Sequence, residues 1–183
     1  DTANTRLGKI NEDLYGVRFK GSRAYLVTFE RIDPLYVLDL SDPTNPQIVS
    51  ELEVPGFSDL LHEVTPDLLL GLGSDTDFLP KLELFDISDL NEPASRSYIP
   101  LAPGWDWAYS PAQYNRYALT YLVGEERDRL TVPYSAQRWT NERYEQIGRI
   151  ALFEITNKSD ASSAAIEPVG EVTLPSGTVS GET

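Results

Sequence analysis

The sequence predicts an all-β fold made of repeated four-stranded antiparallel sheets. Apolar and polar residues alternate over short segments that are rich in β-branched and aromatic side chains, whereas helical periodicity is nearly absent. The 13 prolines and 12 glycines are spread over all 183 residues, which indicates many turns rather than one flexible linker. One strand pattern also recurs along the chain, as it does in repeat architectures.

The recurring pattern is a strand that ends in an acidic residue. Residues 35–42 (LYVLDLSD) align with residues 82–89 (LELFDISD), which places Asp39 over Asp86 at a separation of 47 residues. Residues 150–156 (IALFEIT) form a third, degraded copy, displaced by a further 68 residues. Because the acidic residues recur at equivalent positions, we expect them to cap the turns that follow their strands.

Each repeat resolves into four predicted strands. In chain order they lie at residues 16–19, 24–29, 35–40 and 47–54, then 59–64, 68–73, 81–87 and 95–101, then 117–123, 129–135, 148–156 and 169–174. Four strands repeated every 40–50 residues or so are typical of a β-propeller blade. We therefore expect a single segment, residues 1–183, that forms a partial β-propeller of about three four-stranded antiparallel blades. The predicted units are blades at about residues 14–56, 57–104 and 105–175 and a flexible tail at 176–183. A β-sandwich is the alternative architecture.

Charge and composition exclude several classes of protein. The 29 acidic and 15 basic residues give a net charge of −14 at pH 7, which repels phosphates, so no nucleic-acid partner is expected. The absence of cysteine excludes zinc fingers, thiol catalysis and disulfide frameworks. No apolar run approaches the ~18 residues of a membrane span. Since the sequence begins at Asp1 and holds no Met, we expect a processed chain or a fragment, from which a signal peptide could have been removed.

Three blades are too few to close a ring, because propellers typically have about 4–8 of them. The two end blades would each leave an apolar face in water. The partners expected at these faces are further blades of the same longer protein, or a second copy of the chain in a homo-oligomer.

Residues 17–29 (VRFKGSRAYLVTF), followed by residues 33–43 (DPLYVLDLSDP) and 55–58 (PGFS), carry a family resemblance. They resemble the bacterial secreted proteins that have a C-terminal β-propeller domain distantly related to WD repeats. The resemblance is specific over about residues 8–104 and weaker afterwards, where an Asp-His pair of that family is replaced by residues 113–116 (QYNR). It implies a secreted, periplasmic or cell-surface protein. It implies no known reaction, since fold alone does not determine function.

One short acidic segment is a candidate cation site. Asp75 and Asp77 form a D-x-D pair within residues 74–77 (SDTD), and two such carboxylates can bind one Ca²⁺. The segment lacks the glycine and the bidentate acid of an EF-hand loop, so a solvated turn is the alternative. No other cofactor is expected.

The single histidine, His62, lies close to Ser58 and Asp59 in the sequence. A catalytic triad needs side chains that converge from separate elements, and a regular strand would send Asp59 and His62 to opposite faces. Ser58 also lacks the G-x-S-x-G context of a hydrolase nucleophile. We therefore predict no catalytic residue here and expect His62 in the core or at the rim.

The stretch from residue 105 to residue 144 is much richer in aromatic residues than the rest of the chain. Within it, residues 136–144 (AQRWTNERY) are predicted to form a loop that the blade does not need for its sheet. Arg, Trp and Tyr are enriched at binding interfaces, so we expect a partner to bind here. The predicted contact residues are Trp105, Trp107, Arg138, Trp139 and Tyr144. The alternative is that these rings fill the space between blades.

The predicted function is that of an extracytoplasmic, non-enzymatic binding or scaffold module that contacts a protein or a surface carbohydrate through its rim loops. The competing hypothesis is a hydrolase or lyase that acts on glycans, with a bound Ca²⁺ and with its acid and base on different blades. An enzyme predicts carboxylates with shifted pKa values around a central pocket, whereas a binding module predicts exposed aromatic residues on a shallow surface.

Overall fold

The computed structural model describes residues 13–29, 33–140 and 143–174, and these residues form three antiparallel sheets. The sheets span residues 13–54, 57–100 and 107–174. The predicted fold class, a partial β-propeller of about three blades, is confirmed. The predicted tail at residues 176–183 lies outside the described residues. Within the described ranges no helix is long and apolar enough to cross a membrane.

The first sheet is a four-stranded meander with strand order β1-β2-β3-β4. Its strands are β1 (Asp13–Lys20), β2 (Arg23–Phe29), β3 (Asp33–Asp39) and β4 (Gln47–Val54). In the tight turn between β1 and β2, Gly21 has a φ of 55°, which glycine adopts without the clash that a Cβ atom would cause. One face of the sheet, with Tyr25, Val27 and Val37, is buried against the second sheet.

The second sheet has the same topology and lies between the other two. Its strands are β5 (Phe57–Thr65), β6 (Leu68–Ser74), β7 (Pro80–Asp86) and β8 (Ala94–Pro100). Every residue of β6 and of β7 is buried. A strand that is covered on both faces can be apolar at consecutive positions, which explains the run of leucines at the start of β6.

The third sheet is larger than the other two because β9 adds a fifth strand. Its strands are β9 (Trp107–Tyr109), β10 (Thr120–Leu122), β11 (Asp128–Trp139), β12 (Tyr144–Thr156) and β13 (Ala165–Leu174). Two 3₁₀ turns, Pro111–Gln113 and Arg116–Ala118, connect β9 to β10.

The 3₁₀ turns correct the prediction of a strand at residues 117–123. The Asn115 side chain accepts a hydrogen bond from the Tyr117 backbone N–H at 3.1 Å, which starts a 3₁₀ turn at Arg116. The strand therefore begins only at Thr120.

Two apolar clusters hold the three sheets together. One joins the first sheet to the second and contains Phe85, which is 1% exposed. The other joins the second sheet to the third and contains Phe153, which is also buried. Both rings therefore lie on the buried faces of their sheets.

A buried ion pair lies within the second sheet, on the face that carries Phe85. Lys81 Nζ lies 2.6 Å from Glu83 Oε2, and it also donates a hydrogen bond to the Pro55 carbonyl. The Ser95 hydroxyl donates to the other Glu83 oxygen at 2.6 Å. These partners compensate for removing both charges from water.

The recurring acidic residues stabilise turns, as predicted, in the first two sheets. Side chains there accept a hydrogen bond from the backbone N–H two residues later, at Asp39, Asp42, Asp86 and Asp89. The third copy differs, because Glu154 pairs with Arg127 and Arg129 instead.

Candidate functional site

The β11–β12 hairpin projects the predicted contact residues from the third sheet. Its strands have 12 and 13 residues, more than any described strand of the first two sheets. They pair without a register shift from Asp128 opposite Ile155 to Trp139 opposite Tyr144. β9 lies along the other edge of β11, with Trp107 beside Gln137.

The hairpin shows that the loop predicted for residues 136–144 was wrong at residues 136–139 and 144, which lie in strands. Ala136 to Trp139 extend β11, and Tyr144 begins β12. The Trp139 and Tyr144 rings lie 5.3 Å apart, and Arg138 pairs with Glu145 across the strands. Such cross-strand pairs stabilise a hairpin even where its residues are mostly polar, which is why residue type alone misled the prediction.

One face of this region carries exposed aromatic rings. Trp107 is 45% exposed, Trp139 is 61% exposed and Tyr144 is 49% exposed. The register and the alternation of side chains place these rings on the same face, with two glutamines between them. We call this surface the aromatic face, and it consists of Trp107, Tyr109, Gln137, Trp139, Tyr144 and Gln146. Trp107 and Tyr109 form a second ring pair, with centroids 5.1 Å apart.

Polar contacts on the opposite side support the aromatic face. Arg138 Nε donates to Glu145 Oε2 at 2.9 Å, and its guanidinium lies 4.8 Å from the centre of the Trp105 ring. The hydrogen bond from Arg138 is the largest of the effects that lower the pKa of Glu145. The Trp139 backbone N–H donates to Asp106 at 2.7 Å, which ties the hairpin to the start of β9. Trp105 and Arg138 thus lie behind the aromatic face.

The candidate cation residues lie in the turn between β6 and β7. Asp75 Oδ1 accepts hydrogen bonds from the backbone N–H groups of Asp77 and Leu79, both at 2.9 Å. These bonds give Asp75 a role in the turn itself. Across the described ranges no three His, Cys, Asp or Glu side chains are grouped so that they could hold a metal ion. A Ca²⁺ site at Asp75 and Asp77 stays a prediction.

A cavity of about 580 Å³ is lined by one strand from each sheet, namely β1, β5 and β10. Each of these strands lies at the end of its sheet's strand order, and together they line one cavity, which identifies them as the inner edges that surround the central channel of a propeller. β1 contributes Arg18, β5 contributes His62 and β10 contributes Tyr121. The two 3₁₀ turns contribute Gln113 and Arg116. We call this site the inner cavity.

Asp59 lines the inner cavity and is partly buried. Gln113 Nε2 donates to Asp59 Oδ2 at 3.2 Å and to the Ser74 hydroxyl at 2.8 Å. Gln113 is held in turn by the Ser110 backbone N–H, which donates to its carbonyl oxygen at 2.9 Å. Burial raises the pKa of Asp59 to about 6, and the hydrogen bond from Gln113 opposes that effect only in part.

His62 packs against the inner strand of the third sheet. Its ring centre lies 4.2 Å from that of Tyr121, whose hydroxyl donates to Asp128 Oδ2 at 2.7 Å. Burial lowers the pKa of His62, and the positive charge of Arg18 lowers it further. The imidazole is therefore neutral at pH 7.

Asp59 and His62 line one cavity, which corrects the prediction that they point to opposite sides. β5 has a register shift between Ser58 and Leu60, and such a bulge breaks the regular alternation of side chains. The register shift also explains why His62 faces the inner cavity.

Sequence reasoning missed most of the inner cavity. Arg18, Gln113 and Tyr121 come from distant parts of the chain and share no motif. One signal was present. Residues 113–116 depart from the pattern of the resembled family, and two residues of this segment that line the cavity, Gln113 and Arg116, carry much of its polar character.

Comparison with known proteins supports the sheet architecture. The profile of a family described as "Beta propeller domain" matches residues 2–178. An uncharacterized protein of Methanocaldococcus jannaschii is 44% identical over 98 residues, which is 54% of this chain and 16% of that protein. An uncharacterized protein of Archaeoglobus fulgidus is 46% identical over 96 residues, which is 52% of this chain and 15% of that protein.

The two relatives are informative about the predicted type of organism, but they give no information about an activity. Both are archaeal and uncharacterized, so they do not support a bacterial or secreted origin. The chain spans about one sixth of the length of these curated relatives. The family match, by contrast, covers nearly the whole chain and agrees with three antiparallel sheets of four or five strands. This chain therefore belongs to the beta propeller domain family.

Proposed function

We propose that this chain is a non-enzymatic binding module that holds a protein or a surface carbohydrate on its aromatic face, outside the cytoplasm. Membership of a propeller family supports a binding or scaffold role in general. The specific site rests on the aromatic face, and the location rests on the family resemblance of residues 17–58.

The exposure of the aromatic rings carries the proposal. Trp107, Trp139 and Tyr144 each leave two fifths or more of their surface in water, although the buried interior of the same sheet lies close by. Trp and Tyr rings provide a large apolar contact area together with a polar atom, and they dominate the energy of many interfaces. The same rings can stack on the apolar faces of sugars.

Contacts on the opposite side of the sheet make the aromatic face suitable for binding a partner. The contacts of Arg138 with Glu145 and Trp105 fix the strand from which Trp139 projects. A rigid surface loses less conformational entropy when it binds a partner. Gln137 and Gln146 add amide donors and acceptors between the rings, which suit either sugar hydroxyls or a peptide backbone.

The proposal is tested by screening the whole chain against an array of surface polysaccharides and against a displayed peptide library. We expect saturable binding to one of these panels, and we expect Trp107→Ala and Trp139→Ala to weaken it about tenfold or more. Phe78→Ala is the matched control, because Phe78 is an exposed aromatic residue in the turn between β6 and β7 and does not belong to the aromatic face. Binding that is unchanged in both tryptophan variants would contradict the proposal. Fractionation of cells that express the intact protein tests the location.

We further propose that additional blades, from the same longer protein or from a second copy, cover the outer sheet faces. Large apolar side chains are exposed on the first and third sheets, at Leu14, Val17, Phe19, Ile48, Leu122, Val169, Val172 and Leu174. Burying such side chains is favourable, by about 25 cal/mol per Å² of apolar surface. Light scattering tests the second copy. A dimer would support coverage by a second copy, whereas a monomer of 20.5 kDa would favour coverage by further blades of the same longer protein.

The alternative function is that of a hydrolase or lyase that cleaves a glycan, and the observation that favours it is the position of Asp59. Its raised pKa suits a general acid, and it lines a central cavity. Glycoside hydrolysis generally uses two carboxyl groups, however, and among the described residues that line the cavity Asp59 supplies one. Turnover of a polysaccharide that is lost in Asp59→Asn would favour the enzyme over the binding module.

A further inference from the structure

The inner cavity is a second site, independent of the aromatic face. We propose that it binds a small organic carboxylate, with Arg18 and Arg116 as partners of the acid group and with Leu60, Leu61 and Leu119 against the apolar body. The contacts of the two arginines, the lining of the cavity and its charge support this assignment in turn.

Arg18 is a cation with an unused donor. It lies on β1 opposite Tyr25, on the face that packs against the second sheet. Within the described part of the chain its Nε atom is buried and has no hydrogen-bond partner. Buried donors are nearly always satisfied, and an oxyanion is the acceptor to which a guanidinium donates its strongest hydrogen bonds. A ligand carboxylate in the cavity would supply that partner.

Arg116 provides a second positive charge at the cavity. Its guanidinium lies 5.1 Å from the centre of the Tyr117 ring and donates to the Tyr117 hydroxyl at 3.2 Å. These contacts with a neutral ring orient the guanidinium but do not neutralise it.

The charge of the cavity contrasts with that of the whole chain. Two arginines and one carboxylate line it, whereas the chain holds 29 acidic and 15 basic residues. Against the repulsive field of a protein with a net charge of −14, such a local excess of positive charge selects for a small anion that can enter the cavity.

The rest of the lining favours an anion with an apolar or ring-shaped body. Leu60, Leu61 and Leu119 contribute apolar surface, and Tyr114 contributes a ring. The volume of about 580 Å³ is that of a small-molecule site, since such sites typically measure about 300–1,000 Å³. A bare inorganic anion would leave most of this surface in contact with water.

Two titrating groups make the site sensitive to pH. Asp59 faces Gln113 from the first 3₁₀ turn, and its carboxyl gains a proton as the pH falls through about 6. The His62 imidazole gains positive charge only at a pH below its ordinary pKa, because that pKa is lowered. The charged groups that act on it are Arg18 on β1, Glu63 on β5 and Asp128 on β11. Both changes make the cavity more positive. Binding of an anion therefore becomes tighter on acidification, and the bound anion raises the pKa of His62 in return.

The test uses the chain's single histidine as a reporter inside the site. Benzoate is titrated into the whole chain while the His62 imidazole resonances are followed by NMR, and neutral benzamide serves as the matched ligand. We expect a saturable shift with benzoate and none with benzamide up to about 10 mM. We expect Arg18→Met to weaken benzoate about tenfold or more, because a charge-assisted hydrogen bond is lost.

A matched control and a second variant separate binding from folding. Arg129→Met removes an arginine that pairs with Glu154 on the outer face of the third sheet, and it should leave benzoate binding unchanged. Arg116→Met replaces an exposed side chain and tests the second cation if Arg18→Met does not fold. Lowering the pH from about 7.5 to about 5.5 should tighten binding.

Three results would overturn the proposal. They are no His62 shift with benzoate, equal shifts with benzamide, and benzoate affinity that is unchanged in both cavity arginine variants. If inorganic phosphate bound as tightly as benzoate, the cavity would be a site for simple anions and not for organic carboxylates. None of these results depends on the aromatic face, so they leave the proposed function untouched.

Discussion

The second and third sheets share one four-strand plan but differ in what covers them. Every residue of β6 and β7 in the second sheet is buried, whereas β13 in the third sheet is exposed from Glu167 onwards. The second sheet has neighbours on both faces, and the third sheet packs against it with one face only. The position of each sheet therefore determines how much of its surface is exposed. The covered sheet contributes strands that are buried throughout, and the outer sheet keeps surface exposed, including the aromatic face.

The largest expected effect is the loss of a buried ring from the second sheet. Phe85→Ala removes a 1% exposed phenyl group from the cluster between the first two sheets, and we expect it to lower the free energy of unfolding by about 3–5 kcal/mol. Leu122→Ala is the counterpart in the third sheet, where the side chain is 62% exposed, and it should cost no more than about 0.5 kcal/mol. Denaturant unfolding of both variants measures the difference. Equal losses would show that the buried Phe85 ring contributes no more to stability than an exposed leucine.

The buried ion pair of the second sheet is expected to give the next largest effect. Lys81→Met leaves the Glu83 carboxylate buried with Ser95 as its remaining donor, which should cost about 3 kcal/mol. The double variant Lys81→Met with Glu83→Gln removes both charges and should recover at least half of that loss. A double-mutant cycle in urea measures the coupling. Additive losses from the two single variants would show that the pair is not coupled.

A smaller, pH-dependent effect is expected at Asp59, where the second sheet meets the inner cavity. Its pKa is about 6 in the folded chain and near the ordinary 3.8 when unfolded, so the folded state holds the proton more tightly. The stability from this group is therefore complete below about pH 4 and is lost as the pH rises through 6. Asp59→Asn imitates the protonated form. We expect it to be more stable than the parent above pH 6, with a difference that disappears towards pH 4 in thermal unfolding. A difference that does not change with pH would contradict the raised pKa.

The smallest effects are expected at the aromatic face of the third sheet. Trp139→Ala removes a largely exposed ring and should change the free energy of unfolding by about 0.5 kcal/mol, the usual scale for surface positions and for one cross-strand pair. Arg138→Ala should cost somewhat more, about 1 kcal/mol, because it breaks contacts with both Glu145 and Trp105. Thermal unfolding measures both. A cost of several kcal/mol at Trp139 would show that the aromatic face belongs to the core.

The fold was largely predictable because its signals are local. The alternation within strands and the repeat of Asp39 at Asp86 lie in the sequence itself, and each needs only neighbouring residues to take effect. The hairpin at residues 136–144 was missed because its strands are stabilised by partners across the sheet, such as Arg138 and Glu145, which sequence order does not reveal.

The candidate sites were less predictable because they depend on contacts between distant residues. The aromatic residues of the hairpin were found because they are close together in the sequence. The inner cavity was not, since Arg18, His62 and Gln113 meet only after the sheets have packed. The register shift near Ser58 also reversed the expectation for the side chains that follow it.

The register shift in β5 has a consequence for how such repeats diversify. One extra residue beside Ser58 changes which side chains of the innermost strand face the axis, yet β6 and β7 keep their regular pairing. An insertion or deletion of a single codon at this position would therefore change the side chains that line the axis while the pairing of β6 with β7 is kept. Comparing the length of this strand among homologous blades would reveal where such exchanges have occurred.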